Sequence, residues 1–113
     1  MSKIDEMIAE LCPDGVEYKR LGDVSTIGGG HTPSKNDPQN YDGGHIPWVT
    51  SKDVKVDHLN TTGILITEKG AKTLTLYPEN TIVVVLRSGI LKHTFPVAML
   101  DAPMTINQDI KAI

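Results

Sequence analysis

Three short segments of this sequence combine side-chain hydroxyls with Lys or Arg. Their members are Thr32, Ser34 and Lys35, then Thr50, Ser51 and Lys52, and finally Arg87 and Ser88. Hydroxyl and cationic groups bind phosphate, and Arg side chains also bind the edges of bases. Each segment alone is typical of an ordinary solvated surface. If all three met at one surface, they would favour binding to a nucleic acid.

The glycines Gly28–Gly30 precede Lys35 in an order that partly matches a phosphate-binding loop. That motif requires G-x-x-x-x-G-K-[ST] between a strand and a helix. Here Lys35 is followed by Asn36, and Pro38 blocks a helix. Two interpretations of the glycines remain: they permit a sharp turn, or they let the backbone approach a ligand closely. We favour the turn.

No arrangement of residues in the sequence predicts a catalytic or metal centre. Asp14 and Glu17 imitate a nuclease signature, but they are too close in sequence to converge on one ion from separate strands. The histidines His31, His45 and His58 lack the compact spacing of metal ligands. The sequence therefore predicts a protein without catalytic residues, metal or cofactor.

The composition limits the partners that the chain can bind. Its 113 residues carry a net charge of −3, which argues against a generally basic nucleic-acid binder but permits a local basic face. The single cysteine, Cys12, is expected to be a small core residue and is typical of a reducing cytoplasm. No apolar run approaches the ~20 residues that span a bilayer. These features predict a soluble cytoplasmic protein.

The first helix is predicted from an apolar stripe and a cap. Ile4, Met7, Ile8 and Leu11 lie on one helical face, and Ser2 precedes Asp5 by three residues, as in a capping box. A helix this short is marginal alone, so we expect its apolar face to pack on the rest of the chain.

Strand patterns outnumber helix patterns in the remainder of the chain. The predicted strands are 16–20, 24–27, 46–50, 63–66, 81–86, 97–100 and 106–113, with a short helix after Thr67. The run 81–86 is apolar on both faces, which is typical of a central strand. Without a regular alternation of strands and helices, the pattern predicts an α+β fold. We expect a mixed, curled β-sheet, a short N-terminal helix and long loops, above all the loop 28–53.

The order of the motifs resembles one family, the specificity subunits of type I restriction–modification enzymes. The motifs that carry the resemblance are IAELCPDGV at 8–16, LGDV at 21–24, GHTPS at 30–34, IPWVTSKD at 46–53, ITEKG at 66–70, RSGIL at 87–91 and INQD at 106–109. No single motif is strong, but their order extends over nearly the whole chain.

The resemblance implies a target recognition domain that reads one half of a split site in double-stranded DNA. It also implies that methylation (methyltransferase) and restriction subunits are separate chains that act as partners. We expect an N-terminal helix and turn at residues 1–15 and a recognition domain at 16–113. Because residues 106–113 read as a strand in progress, the domain is expected to be incomplete at its C-terminus.

The resemblance also selects candidate DNA-contacting residues. They are Thr32, Ser34, Lys35, Ser51, Lys52, Arg87, Ser88 and Lys92. Residues outside the motifs, at 35–39 and 92–94, are the better candidates for base readout, whereas Trp48 is expected to anchor the core. The alternative is a protein–protein module that assembles with another specificity fragment or a modification subunit, including self-association through an exposed sheet edge.

Overall fold

Short helices and strands joined by long connections make up the fold. The computed structural model describes residues 2–113, with the exception of the Ile90 side chain. The helices are α1 (Lys3–Leu11), α2 (Leu21–Val24) and α3 (Glu68–Ala71), and two 3-10 turns span Pro38–Asn40 and Gly89–Lys92. The strands are β1 (Ile46–Val49), β2 (His58–Leu59), β3 (Leu65–Ile66), β4 (Ile82–Val85), β5 (Val97–Leu100), β6 (Thr105–Ile106) and β7 (Ile110–Ala112). The predicted α+β class is confirmed.

The strands form two mixed sheets. One sheet has the order β2-β5-β4-β7, in which β4 is antiparallel to both neighbours and β2 is parallel to β5. The other has the order β3-β1-β6, in which β1 is antiparallel to β3 and parallel to β6. The prediction that β4 is a central strand is confirmed, because Val83, Val84 and Val85 are buried between two partner strands.

One aliphatic core joins the two sheets. Val49 and Ile106 from the smaller sheet pack with Val83, Leu100 and Ile110 from the larger one, and all are essentially inaccessible to solvent. Burial of large aliphatic side chains contributes about 1.5–3 kcal/mol each, so this core is the main stabilising feature of the fold.

Several predicted strands are wrong. Residues 16–20 and 24–27 form no strand, and 21–24 form the single helical turn α2. Alternating apolar residues alone do not make a strand, because the backbone N–H and C=O groups of a strand must hydrogen-bond to a neighbouring strand. The predicted strand 106–113 is divided into β6 and β7 by a turn, in which Asn107 Oδ1 accepts a hydrogen bond from the Asp109 N–H at 3.0 Å. Sequence reasoning missed β2, whose residues are not among the predicted strands.

The helix α1 is confirmed, but its expected packing is wrong. Ser2 and Asp5 form the predicted capping box. Every side chain of α1 is nevertheless exposed, including those of Ile4 and Leu11. Cys12 is also exposed, so the expectation that it is a core residue is wrong.

The glycines before the long loop allow close packing instead of a sharp turn. Residues 28–30 form neither a turn nor a bend, so the predicted turn at Gly28–Gly30 is wrong. The positive φ angles of glycine lie elsewhere, at Gly15 and Gly43. A Cβ atom on Gly30 would lie 1.9 Å from the carbonyl oxygen of Ile106. Gly28 pairs with Ala112 through two backbone hydrogen bonds of 2.8 and 2.9 Å. These contacts fix the start of the loop against β6 and β7.

Candidate functional site

The structure brings residues from two of the predicted segments together around one cleft of about 270 Å³, here called the polar cleft. Its lining residues are Thr32, Lys35, Trp48, Thr50, Ser51, Lys52, Ile64, Asn107, Gln108 and Asp109. Four of the predicted contact residues are therefore neighbours: Thr32, Lys35, Ser51 and Lys52. The third wall is the turn between β6 and β7. Sequence reasoning identified its polar side chains only as members of the motif INQD.

The loop wall of the polar cleft is held by hydrogen bonds at its first residues. The Trp48 indole N–H donates to the carbonyl oxygen of His31 at 3.2 Å, and the Thr32 hydroxyl donates to Gln108 Oε1 at 2.7 Å. His31 Nε2 lies 2.7 Å from the hydroxyl of Thr73. The buried indole thus fixes the backbone that presents Thr32, and Thr32 in turn orients the amide group of Gln108.

The strand wall is a turn that follows β1. The Asp53 carboxylate accepts hydrogen bonds from the N–H of Thr50 at 2.8 Å, from its hydroxyl at 3.1 Å and from the N–H of Gly63 at 3.0 Å. The side chains of Thr50 and Asp53 are thereby occupied by hydrogen bonds that stabilise the turn. Ser51 and Lys52, between them, stand at its tip, where Lys52 is exposed. The turn therefore presents a hydroxyl and an ammonium group to the cleft.

Arg87 reaches the polar cleft through Asp109. Arg87 Nε lies 3.6 Å from Asp109 Oδ1, and the carbonyl oxygen of Asp109 accepts hydrogen bonds from the N–H groups of Leu86 and Arg87 at 2.9 and 3.3 Å. The Asn107 N–H donates to the carbonyl oxygen of Val49 at 3.0 Å, which ties this turn to β1. The third predicted segment thus lies beside the cleft without lining it.

The remaining candidates are not part of the cleft lining. Ser34 is exposed, and its carbonyl oxygen accepts a hydrogen bond from the side chain of Asn40 at 3.0 Å. Ser88 and Lys92 lie in the connection between β4 and β5, where Lys92 is exposed at the end of the second 3-10 turn. Sequence reasoning missed Gln108. The sequence indicated this residue only through its amide group, which can hydrogen-bond to base edges, in a short polar segment between apolar residues.

The helix α3 orders the distal part of the long loop. Lys69 Nζ lies 2.7 Å from Asp37 Oδ2 and 2.9 Å from Gln39 Oε1, and the Thr67 hydroxyl donates to the carbonyl oxygen of Gln39 at 2.6 Å. The hydrogen bond from Lys69, followed by that from the Gln39 N–H, holds the pKa of Asp37 below its usual value. Burial raises the pKa of Tyr41, whose hydroxyl donates to the carbonyl oxygen of Pro33. The loop is therefore folded, with contacts along much of its length.

The chemistry of the polar cleft suits an anionic polymer with hydrogen-bonding groups. Lys35 and Lys52 supply two positive charges, while the carboxylate of Asp109 is paired with Arg87. This is a local basic face in a chain of net charge −3. Within the described residues 2–113, no three His, Cys, Asp or Glu side chains are grouped as a metal ion would require.

A larger cleft of about 440 Å³ lies elsewhere, and of the residues predicted to contact DNA it contains only Thr94, from the base-readout candidates 92–94. It is lined by Val54, Lys55, Val56, Asp57, Thr94, Phe95, Pro96 and Val97, and is here called the Phe95 cleft. Both clefts share the segment after β1, because residues 50–52 line the polar cleft and residues 54–57 line the Phe95 cleft.

Comparison with known proteins identifies the family. Residues 13–113 match the family described as the type I restriction modification DNA specificity domain. The chain belongs to this family. The specificity domain described here is 39% identical over 100 residues to the type I restriction enzyme EcoR124I/EcoR124II specificity subunit of Escherichia coli, covering 87% of this chain and 25% of that protein. It is also 33% identical over 106 residues to the type I restriction enzyme MjaIX specificity subunit of Methanocaldococcus jannaschii, covering 89% of this chain and 23% of that protein.

This specificity domain spans about a quarter of the length of both relatives. The resemblance seen in the sequence motifs is thereby confirmed at the level of the family. In the part of the chain that the structure describes, no helix has both the length and the apolar character needed to cross a membrane.

Proposed function

We propose that this chain is a DNA-recognition module that reads one half of a split target in a type I restriction–modification system and has no catalytic activity of its own. One observation carries the proposal: in a DNA specificity domain, segments far apart in sequence present Lys35, Lys52 and Gln108 to one polar cleft. Ammonium groups suit phosphates and a primary amide suits a base edge.

The proposed contacts divide into two kinds. Lys35, Lys52 and Arg87 bind phosphates and so determine the position of the domain on the duplex. Gln108, with residues 35–39 and 92–94, is proposed to face the bases. Ser34 and Ser88 remain candidate contacts next to these residues. Because few cations are available, affinity for random DNA is expected to be low and its dependence on salt shallow.

Titration of random-sequence duplexes at low and moderate salt tests this assignment. We expect Lys35→Ala, Lys52→Ala and Arg87→Ala each to weaken binding and to reduce the slope of log K against log salt by about 1. Lys3→Ala is the matched control, because it removes the same charge from α1, where all side chains are exposed. Binding that is unaltered in all three variants would overturn the site.

The proposed partners follow from the family. We propose that methylation (methyltransferase) and restriction subunits associate with the protein to which this domain belongs, and that the complex acts in the cytoplasm. The direct measurement is co-purification of the protein with a modification subunit. Variants of this domain are expected to lose that co-purification.

A second candidate function is protein–protein assembly without DNA binding. The exposed side chains of Ile4, Met7, Ile8 and Leu11 form an apolar surface on α1, and this observation favours it. Self-association through this helix predicts a dimer that Ile8→Asp dissociates, whereas a dimer through an open sheet edge would persist in that variant. A strict monomer at high concentration in size-exclusion chromatography with light scattering would exclude self-association.

A further inference from the structure

Three apolar side chains that line the Phe95 cleft are largely exposed to solvent. Phe95 is the only phenylalanine of the chain, and 61% of it is exposed. Val56 and Val97, which line the same cleft, are 52% and 44% exposed. Single exposed apolar residues need no explanation, but three that line one cleft indicate a contact surface.

The position of Phe95 is fixed by the sheet behind it. Pro96 is buried, and its carbonyl oxygen accepts a hydrogen bond from the Val85 N–H at 3.1 Å. The residue before a proline is restricted to extended conformations, and β5 begins directly afterwards at Val97. An aromatic side chain also loses little conformational entropy on binding, because it has only two side-chain torsions. Phe95 is thus presented from a rigid element.

The segment that supplies Phe95 is basic, which favours a polyanion. The segment 86–97 contains Arg87, Lys92 and His93 and no acidic residue, although the chain as a whole has a net charge of −3. Lys55 lies in the opposite wall, where Asp57 offsets its charge. The same wall continues into the turn that carries Lys52 into the polar cleft, so the two clefts flank one short segment.

We propose that the Phe95 cleft is a second DNA-contacting site, in which Phe95 and Val56 pack against the 5-methyl group of a thymine in the major groove. Apolar contact is the means by which side chains recognise that methyl group, which distinguishes thymine from the other bases. Lys55 and Lys92 are available for the adjacent phosphates. This inference rests on the proposed function and adds a specificity-determining residue to it.

The test begins with selection of preferred duplexes from a pool with a randomised central segment, using the full chain. Each thymine of the selected duplex is then replaced by deoxyuridine, which lacks only the methyl group. We expect the wild-type chain to lose about fourfold in affinity at one thymine, since a buried carbon of this kind contributes about 0.8 kcal/mol. Phe95→Ala should bind both duplexes equally, with an unchanged salt slope.

The controls separate this inference from the proposed function. Tyr18→Ala removes an aromatic ring that is fully exposed and lines neither cleft, and it should leave the thymine preference intact. Because the deoxyuridine measurement on the wild-type chain changes only the DNA, its result does not depend on the folding of a variant.

The outcomes are distinct. If the wild-type chain selects no sequence, the proposed function fails and this inference fails with it. If the chain selects a sequence but no thymine shows a methyl dependence that Phe95→Ala abolishes, only the inference is overturned. Loss of binding to a modification subunit in Phe95→Ala, with an unchanged DNA preference, would assign the cleft to a protein partner and would also overturn it.

Discussion

At the scale of single residues, Trp48 shows how a side chain in the cleft lining serves the structure. It is 3% exposed and donates its indole hydrogen bond to the backbone that precedes Thr32. The expectation that Trp48 anchors the core is confirmed. Its ring therefore supports the neighbouring polar groups. A base could stack on the ring only by displacing the contacts that the ring makes with the core.

Substitution of Trp48 is predicted to lower the free energy of unfolding. We expect a loss of about 3–5 kcal/mol for Trp48→Ala through the cavity that it creates. Trp48→Phe keeps most of the packing and should lose about 1 kcal/mol with the hydrogen bond. Urea denaturation followed by circular dichroism measures both. Leu76→Ala, at an exposed site, is the control, and a loss as small as the control's in Trp48→Ala would contradict the prediction.

Sequence reasoning identified the cationic residues of the cleft but not Gln108. Lys35 and Lys52 could be predicted because each is adjacent to hydroxyl residues in a loop or at a strand end. Gln108 binds Thr32 across 76 residues of sequence, so its place in the site exists only after β6 and β7 have packed on the loop. Ser34 and Lys92 have suitable chemistry, but no local pattern indicated which way their backbone segments would turn.

At the scale of elements, α3 and its cap hold the long loop through several hydrogen bonds and one exposed ion pair. Lys69 Nζ lies 2.7 Å from Asp37 Oδ2, and the pKa of Asp37 in the folded state lies below its ordinary value of 3.8. Because the folded pKa is depressed, the pair stabilises the fold above pH 3.8, and this contribution is lost as the pH falls through the depressed pKa. Surface exposure keeps the contribution small.

The ion pair gives a prediction that nuclear magnetic resonance can check. We expect Lys69→Met to raise the titration midpoint of the Asp37 carboxyl carbon towards 3.8, since the first cause of the shift is removed. Lys72→Met removes a charge from the C-cap of the same helix and serves as the control. An unchanged midpoint in Lys69→Met would show that Lys69 does not lower the pKa of Asp37.

The close approach of the loop to β6 gives a second prediction for this scale. Gly30→Ala places a methyl group against the backbone of Ile106, so we expect it to destabilise the fold by about 1–3 kcal/mol and to weaken DNA binding through the displaced Thr32. Gly22→Ala has nothing within 4 Å of the added carbon and should be neutral or slightly stabilising. Thermal unfolding compares the two, and equal midpoints would contradict the prediction.

Elements with a strong local pattern could be predicted, whereas those defined by a partner could not. The cap of α1, the Thr67 cap of α3 and the apolar run of β4 each leave a local mark in the sequence. The two-residue strand β2 is too short to show a period, and it exists because β5 supplies its hydrogen bonds. Its absence from the prediction therefore follows from its length.

At the scale of the whole molecule, α1 stands apart from the core. The chain measures 56 × 26 × 22 Å along its principal axes, and all side chains of α1 are exposed. We propose the division at residues 15 and 16 on this basis. Deletion of residues 1–15 is expected to change the free energy of unfolding by no more than about 0.5 kcal/mol and to leave DNA affinity unchanged. Denaturant titration checks this, and a large loss of stability would contradict it.

The parallel pairing of β1 with β6 has a consequence for the time course of folding. Trp48 and Val49 find their strand partners in Thr105 and Ile106, and Gly28 finds its partner in Ala112. Contacts between such distant segments form slowly, because a long loop must close first. During synthesis, these pairings can therefore form only after residues 105–112 have left the ribosome. The polar cleft, whose third wall is the turn between β6 and β7, is complete only then, so a nascent chain lacks the full proposed site until late in its synthesis.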